Sequence, residues 1–218
     1  MGKDYKAFTL AEVLITLGII GVVAAITIPN LIYKIEHKIL VSQFKKAYAS
    51  AVQSFKLLQA QNEKEYACFI DKGTSMGYHS SECADFYKDW MAVQKTKNSC
   101  SYDNGKTCGV KFKGKAEVMA NGGWQNNASC TYLAAGANAH TLLNGVTYYY
   151  LRSPRNFFAI DINGDKGPNK WGYDLFFVTF IKDNSLDYAP LTLGEQTCFI
   201  KEKGGYTLTE MLKEAGLK

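Results

Sequence analysis

The sequence predicts an α+β protein: a long amino-terminal helix, membrane-spanning in its first part, packed on a head built around an antiparallel β-sheet. Three observations predict it. Residues 8–28 carry a single charged side chain, Glu12. Beyond Pro29 the apolar residues take up a helical spacing that continues to about Gln61. Several short strand-like runs then follow without alternating helices, which argues for α+β rather than a parallel βαβ sheet.

The chain starts with a short basic leader, residues 1–7, containing Lys3, Asp4 and Lys6. Positive charge on the short side keeps the leader cytoplasmic and sends the rest across. The apolar run, read as a transmembrane segment over 8–30, spans about 32 Å at about 1.5 Å per residue, enough for a bilayer core. A carboxylate within it costs roughly 3 kcal/mol. Glu12 therefore needs a partner. Cleavage between Ala7 and Phe8 would create one: the new α-amino group of Phe8, one turn away or on another copy. Two other readings compete. A secretory signal would use Val23-Ala24-Ala25 as its small-residue cleavage site, but Glu12 would then sit in its apolar core. A plain single-pass anchor leaves Glu12 unexplained.

Lys3, Lys6 and Ala7, then Phe8-Thr9-Leu10-Ala11-Glu12 and the run through Ile26-Thr27-Ile28-Pro29, resemble a type IV prepilin or type II secretion pseudopilin. That resemblance implies cleavage and N-methylation at Phe8 by prepilin peptidase, a membrane aspartyl protease. It also implies assembly with other pilin or pseudopilin subunits into a helical filament, driven by a cytoplasmic ATPase and a membrane platform. Ala7 stands where the family most often has glycine.

Residues 31–61 predict an amphipathic continuation of the helix. Ile32, Ile35, Ile39, Phe44, Ala47, Tyr48, Ala51, Val52, Phe55 and Leu58 draw one stripe, with Lys34, Glu36, Lys38, Lys45 and Lys56 largely off it. Pro29 lacks an N–H and predicts a kink. Gly18 and Gly21 offer small surfaces for close helix approach.

Residues 62–218 predict the globular head. A short helix is expected at 82–91 with Phe86, Tyr87 and Trp90 inward. Strands are expected at 109–119, 129–133, 146–152, 157–162, 175–181 and 186–191, with Asn144-Gly145 as a tight-hairpin signal. A terminal helix is expected through Thr209, Glu210, Met211 and Leu212.

Six cysteines, Cys68, Cys83, Cys100, Cys108, Cys130 and Cys198, lie beyond the span. An even count there predicts disulfides in an oxidising compartment, with buried thiols or metal as alternatives. Their pairing is not readable, although Cys100 and Cys108 flank a plausible hairpin loop. Net charge is +5, and losing the leader (net +1) leaves +4, too mild to argue for nucleic acid. Only a DNA-uptake pilus would bring in such a partner.

Asp161, Asn163 and Asp165 alternate like the start of a calcium loop, and Asp174 offers a later carboxylate. Lys166 and Gly172 stand where an EF-hand needs its turn glycine and closing glutamate. The competing reading is a long hairpin turn whose Asp and Asn side chains cap their own backbone. Tyr148-Tyr149-Tyr150 with Arg152 and Arg155 would stack a sugar or single strand if exposed, or simply alternate across a strand. His37, His79 and His140 are scattered, and no nucleophile elbow, Walker loop or dinucleotide fingerprint is present.

The expected function is a non-enzymatic minor pilin or pseudopilin. It would wait as a single-pass protein of the cytoplasmic membrane with an extracytoplasmic head, then pass into a filament or to the cell surface. The alternative is a membrane-anchored binding module for calcium, sugar or DNA.

Overall fold

The structure, a computed structural model, describes residues 9–62, 64–74, 78–102, 108, 113–126, 133, 137–151, 155–185, 191–195 and 198–217. Its internal contacts divide the chain into two compact units, Met1–Ile39 and Leu40–Lys218. The first element, α1, is one helix over Leu10–Asn62 that runs through Pro29. Its buried residues are Phe44, Ala47, Ala51, Phe55 and Leu58, spaced three or four apart. The expected stripe is thus buried from Phe44 onward, whereas Ile32, Ile35 and Ile39 remain about half exposed. The first residues of α1 to reach the core are Leu40 and Val41.

The second unit is built on an eight-stranded sheet. Its strands are β1 (Phe69–Asp71), β2 (Tyr78–His79), β3 (Thr96–Cys100), β5 (Ala137–Leu142), β6 (Thr147–Leu151), β7 (Phe157–Asp161), β8 (Leu175–Lys182) and β9 (Thr192–Gly194). A separate pair joins β4 (Trp124–Gln125) to β10 (Ile200–Lys201). The large sheet runs β2-β1-β8-β7-β6-β5-β3, with β9 also paired to β8. Every pairing is antiparallel except β1 with β8. The helices are α2 (Cys83–Ala92), α3 (Lys115–Ala120) and α4 (Leu208–Glu214).

Both faces of the central strands are covered, which is why β7 and β8 read as unbroken apolar runs rather than alternating ones. The register sets Phe158 beside Val178 and Ile160 beside Phe176, and all four join the core with α1, α2 and α4. Ala159 lies beside Phe177 and Asp161 beside Leu175. Phe157, Ala159, Leu175 and Phe177 fill the other core with Val118, Trp171 and Ile200. Aromatic rings dominate the first core. Phe86 meets Phe180 at 4.6 Å, Trp90 meets Tyr148 at 4.9 Å, and Phe44 meets Phe176 at 4.9 Å. Each such pair adds about 0.5–1.5 kcal/mol beyond its buried area.

The helix expected at 82–91 is α2, with Phe86, Tyr87 and Trp90 buried. The Tyr87 hydroxyl donates toward the carbonyls of Arg155 (2.9 Å) and Phe157 (2.8 Å). The terminal helix is α4, opened by a full capping box between Thr207 and Glu210. The hairpin at Asn144-Gly145 joins β5 to β6 through a loop between Leu142 and Val146. Gly145 takes φ +88°, which favours glycine, and Asn144 Oδ1 accepts from Val146 N.

One expectation is overturned. The predicted strand at 109–119 is helical in its described part. Lys-Ala-Glu-Val-Met-Ala forms α3, because Lys, Ala, Glu and Met are strong helix formers and outweigh one β-branched valine. The strands expected at 129–133 and 186–191 lie almost wholly outside the described residues.

Two disulfides lie wholly among the described residues: Cys68–Cys83 and Cys100–Cys108. The first joins the approach to β1 with the start of α2. Cys198 is buried and disulfide-bonded as well, and Cys130 lies outside the described residues.

Candidate functional site

Ala7 and Phe8, the expected cleavage and methylation residues, lie outside the described residues. The helix begins immediately after them, and its start has a definite geometry. Thr9 precedes the first helical residue, and Glu12 occupies the third helical position. Glu12 Oε2 accepts from Thr9 N and from Thr9 Oγ1, each at 2.8 Å. Thr9 Oγ1 in turn accepts from Glu12 N at 3.2 Å. This is a capping box, in which two helix-end amides are satisfied reciprocally. Thr-x-x-Glu was there in the sequence to signal it. Sequence reasoning missed it by asking only which charge would neutralise Glu12. Both hydrogen bonds to the carboxylate land on Oε2, so the cap does not use Oε1.

Beyond the cap, the helix is apolar on every side. Leu14, Ile15, Leu17, Ile19, Ile20 and Ile26 are each about 60% exposed. It is the described segment long and apolar enough to cross a membrane. Its few polar side chains are tied to their own backbone. Thr16 Oγ1 donates to Val13 O at 3.0 Å, Thr27 Oγ1 to Val23 O at 2.9 Å, and Asn30 Nδ2 to Ile26 O at 3.1 Å. Such bonding leaves little for lipid to satisfy, as hydrocarbon requires. A Cβ added at Gly18 or Gly21 would meet nothing within 4 Å, so this chain's own packing does not demand glycine there.

The loop between β7 and β8 holds the other predicted site. Asp161 and Asp174 are fully buried. Asp161 Oδ1 accepts from Asn163 N (3.1 Å) and Gly164 N (2.7 Å), capping the 3₁₀ turn Gly164–Lys166. Asp174 accepts from Asn169 N and Lys170 N, both at 2.8 Å, one on each oxygen. Asn163 Nδ2 donates to Gly167 O at 2.9 Å. Burial raises the Asp174 carboxyl above the usual range, against the pull of those amides. Among the described residues no three His, Cys, Asp or Glu side chains gather in one place, and the Asp165 side chain of the expected calcium set is not among those residues. What the described side chains form is a turn whose backbone amides are capped by Asp161 and Asp174.

The tyrosine run is not a stacking platform. Tyr148 and Tyr149 are buried on opposite sheet faces, and Tyr150 stacks on Tyr87 at 4.4 Å. Arg152 lies outside the described residues. His140 sits between Ser99 and Tyr150, its basicity lowered by burial, and His79 pairs with Asp71 at 3.2 Å.

Against known proteins, residues 2–28 match the prokaryotic N-terminal methylation motif, the prepilin-type cleavage and methylation signature. No curated protein and no solved structure matches the chain. The chain therefore carries the signature of type IV pilin-like and pseudopilin-like substrates of prepilin peptidase, on a long apolar helix suited to membrane anchoring.

Proposed function

We propose that this protein is a non-enzymatic structural subunit, a minor pilin or pseudopilin, of a type IV pilus-like or type II secretion filament. One observation carries the reading. The methylation motif opens a helix whose large apolar side chains from Leu10 to Ile39 are exposed on all sides. Lipid covers that surface before assembly, and neighbouring helices cover it afterwards. Prepilin peptidase cuts between Ala7 and Phe8 and methylates the new amine. The chain then waits in the cytoplasmic membrane with its head outside. An ATPase and a membrane platform draw it into the filament, where the Phe8 ammonium meets Glu12 of the same or a neighbouring copy.

Mass spectrometry of the mature amino terminus tests this. N-methyl-Phe8 is expected. An intact Met1 would reduce the protein to a plain anchor, and a start near Ile26 would make it a secreted one. Ala7→Arg is expected to leave the leader attached, read as an unchanged mass.

A further inference from the structure

The carboxy-terminal side of the head holds an open cleft of about 730 Å³ beside the β4–β10 pair. Trp124 stands in its wall, directly across the ladder from Lys201. It is 47% exposed, whereas the other two tryptophans, Trp90 and Trp171, are 0% and 1% exposed. The backbone near it is bare for reasons of its own. Gly122 and Gly204 take φ of +72° and +82°, and a Cβ on Gly123 would lie 2.6 Å from Val118 Cγ1. No bulky neighbour can arise at those positions to cover the indole.

The polar lining has two further properties. Glu202 is 6% exposed and its Oε2 accepts from Lys113 Nζ at 2.8 Å, so its charge is already paired. The charges also balance: Lys201, Lys203 and Lys213 against Glu202, Glu210 and Glu214. Lys201 and Glu210 are already paired at 2.7 Å. A polyanion needs an excess of positive charge, which this cleft lacks. The remaining match is a neutral molecule with an apolar face for the indole and hydroxyls for the charged rim.

We propose that this cleft binds a neutral saccharide, with one pyranose ring stacked on Trp124 and its hydroxyls hydrogen-bonded by Glu210 and Lys203. The filament reading does not depend on it, since the cleft involves no residue of the amino-terminal motif.

The test uses the full chain in a detergent without a sugar headgroup. Tryptophan fluorescence is quenched with acrylamide while lactose, maltotriose or N-acetylglucosamine trimer is titrated in. Because Trp90 and Trp171 are buried, the quenchable signal belongs to Trp124. At least one sugar is expected to protect it. Calorimetric affinity for that sugar should fall about tenfold or more in Trp124→Ala, and less in Trp124→Phe, with melting temperature unchanged in both. The proposal is overturned if none of the sugars protects at millimolar concentration, if heparin or single-stranded DNA protects instead, or if Trp124→Ala binds the sugar as tightly as the parent.

Discussion

Residues 10–39 and residues 40–62 belong to one helix, yet they are written for different neighbours. In the second stretch Phe44, Ala47, Ala51, Phe55 and Leu58 are buried, and Lys45, Lys46 and Lys56 stay outside. In the first, Leu14, Ile19, Ile26 and Leu31 are each about 60% exposed. Burying one such side chain is worth about 1.5–3 kcal/mol, so so many left open require an external apolar partner. The backbone is the same in both stretches. What differs is pattern: an all-round apolar cylinder looks for lipid or other helices, whereas a single stripe looks for one sheet.

The sharpest way to break that contrast is to truncate one side chain on each side of it. Phe44→Ala removes a ring packed on Phe176 and should lower head stability by about 3–5 kcal/mol, read by thermal or denaturant melting in detergent. Ile19→Ala should change the same melting curve by no more than about 0.5 kcal/mol, because its side chain is 61% exposed. Equal losses from the two would mean that the units are not independent.

A smaller effect lies within the head. Replacing Cys68 and Cys83 together by alanine should cost about 2–4 kcal/mol, while helix content in 10–39 stays unchanged by hydrogen exchange. Cys68 and Cys83 are fully buried, whereas Cys100 and Cys108 are half-buried. Under dithiothreitol, mass spectrometry should find Cys100–Cys108 reduced first. The reverse order would show that the Cys68–Cys83 core opens more readily than its packing suggests.

How far the sequence was legible followed the same division. The long helix, its inward stripe, α2, α4 and the β6–β7–β8 meander were readable, because each rests on local periodicity or an apolar run. β5 was not: Ala137-Asn138-Ala139-His140-Thr141-Leu142 alternates, but alanine and asparagine are poor strand formers, and the strand is held by its neighbours β3 and β6. β1, β2, β4 and β10 are two or three residues each and exist only through pairing, which no local signal announces. In the 161–174 loop the oxygen-rich spacing was visible, but not that Asp161 and Asp174 would turn inward onto backbone amides. Carboxylates spaced for a metal and carboxylates capping a turn look alike in one dimension. The Trp124 cleft had no signal at all, being assembled from segments some eighty residues apart.

The finest distinction concerns Glu12, which now has two physical explanations. As a helix cap it needs only the hydrogen-bonding shape of its side chain, and removing the cap should cost about 1 kcal/mol of local helix stability. As a partner for the Phe8 ammonium it needs its charge. Two substitutions separate these roles. Glu12→Gln preserves the cap, since glutamine also closes a capping box, but discards the charge. Thr9→Ala discards the cap and preserves the charge. Amide exchange over residues 10–13 should therefore quicken about fivefold in Thr9→Ala and stay near parental in Glu12→Gln. Incorporation into filaments should show the opposite order, lost in Glu12→Gln and retained in Thr9→Ala. If incorporation instead tracks the exchange rates, the carboxylate is there to start a helix, and the ammonium has no part in assembly.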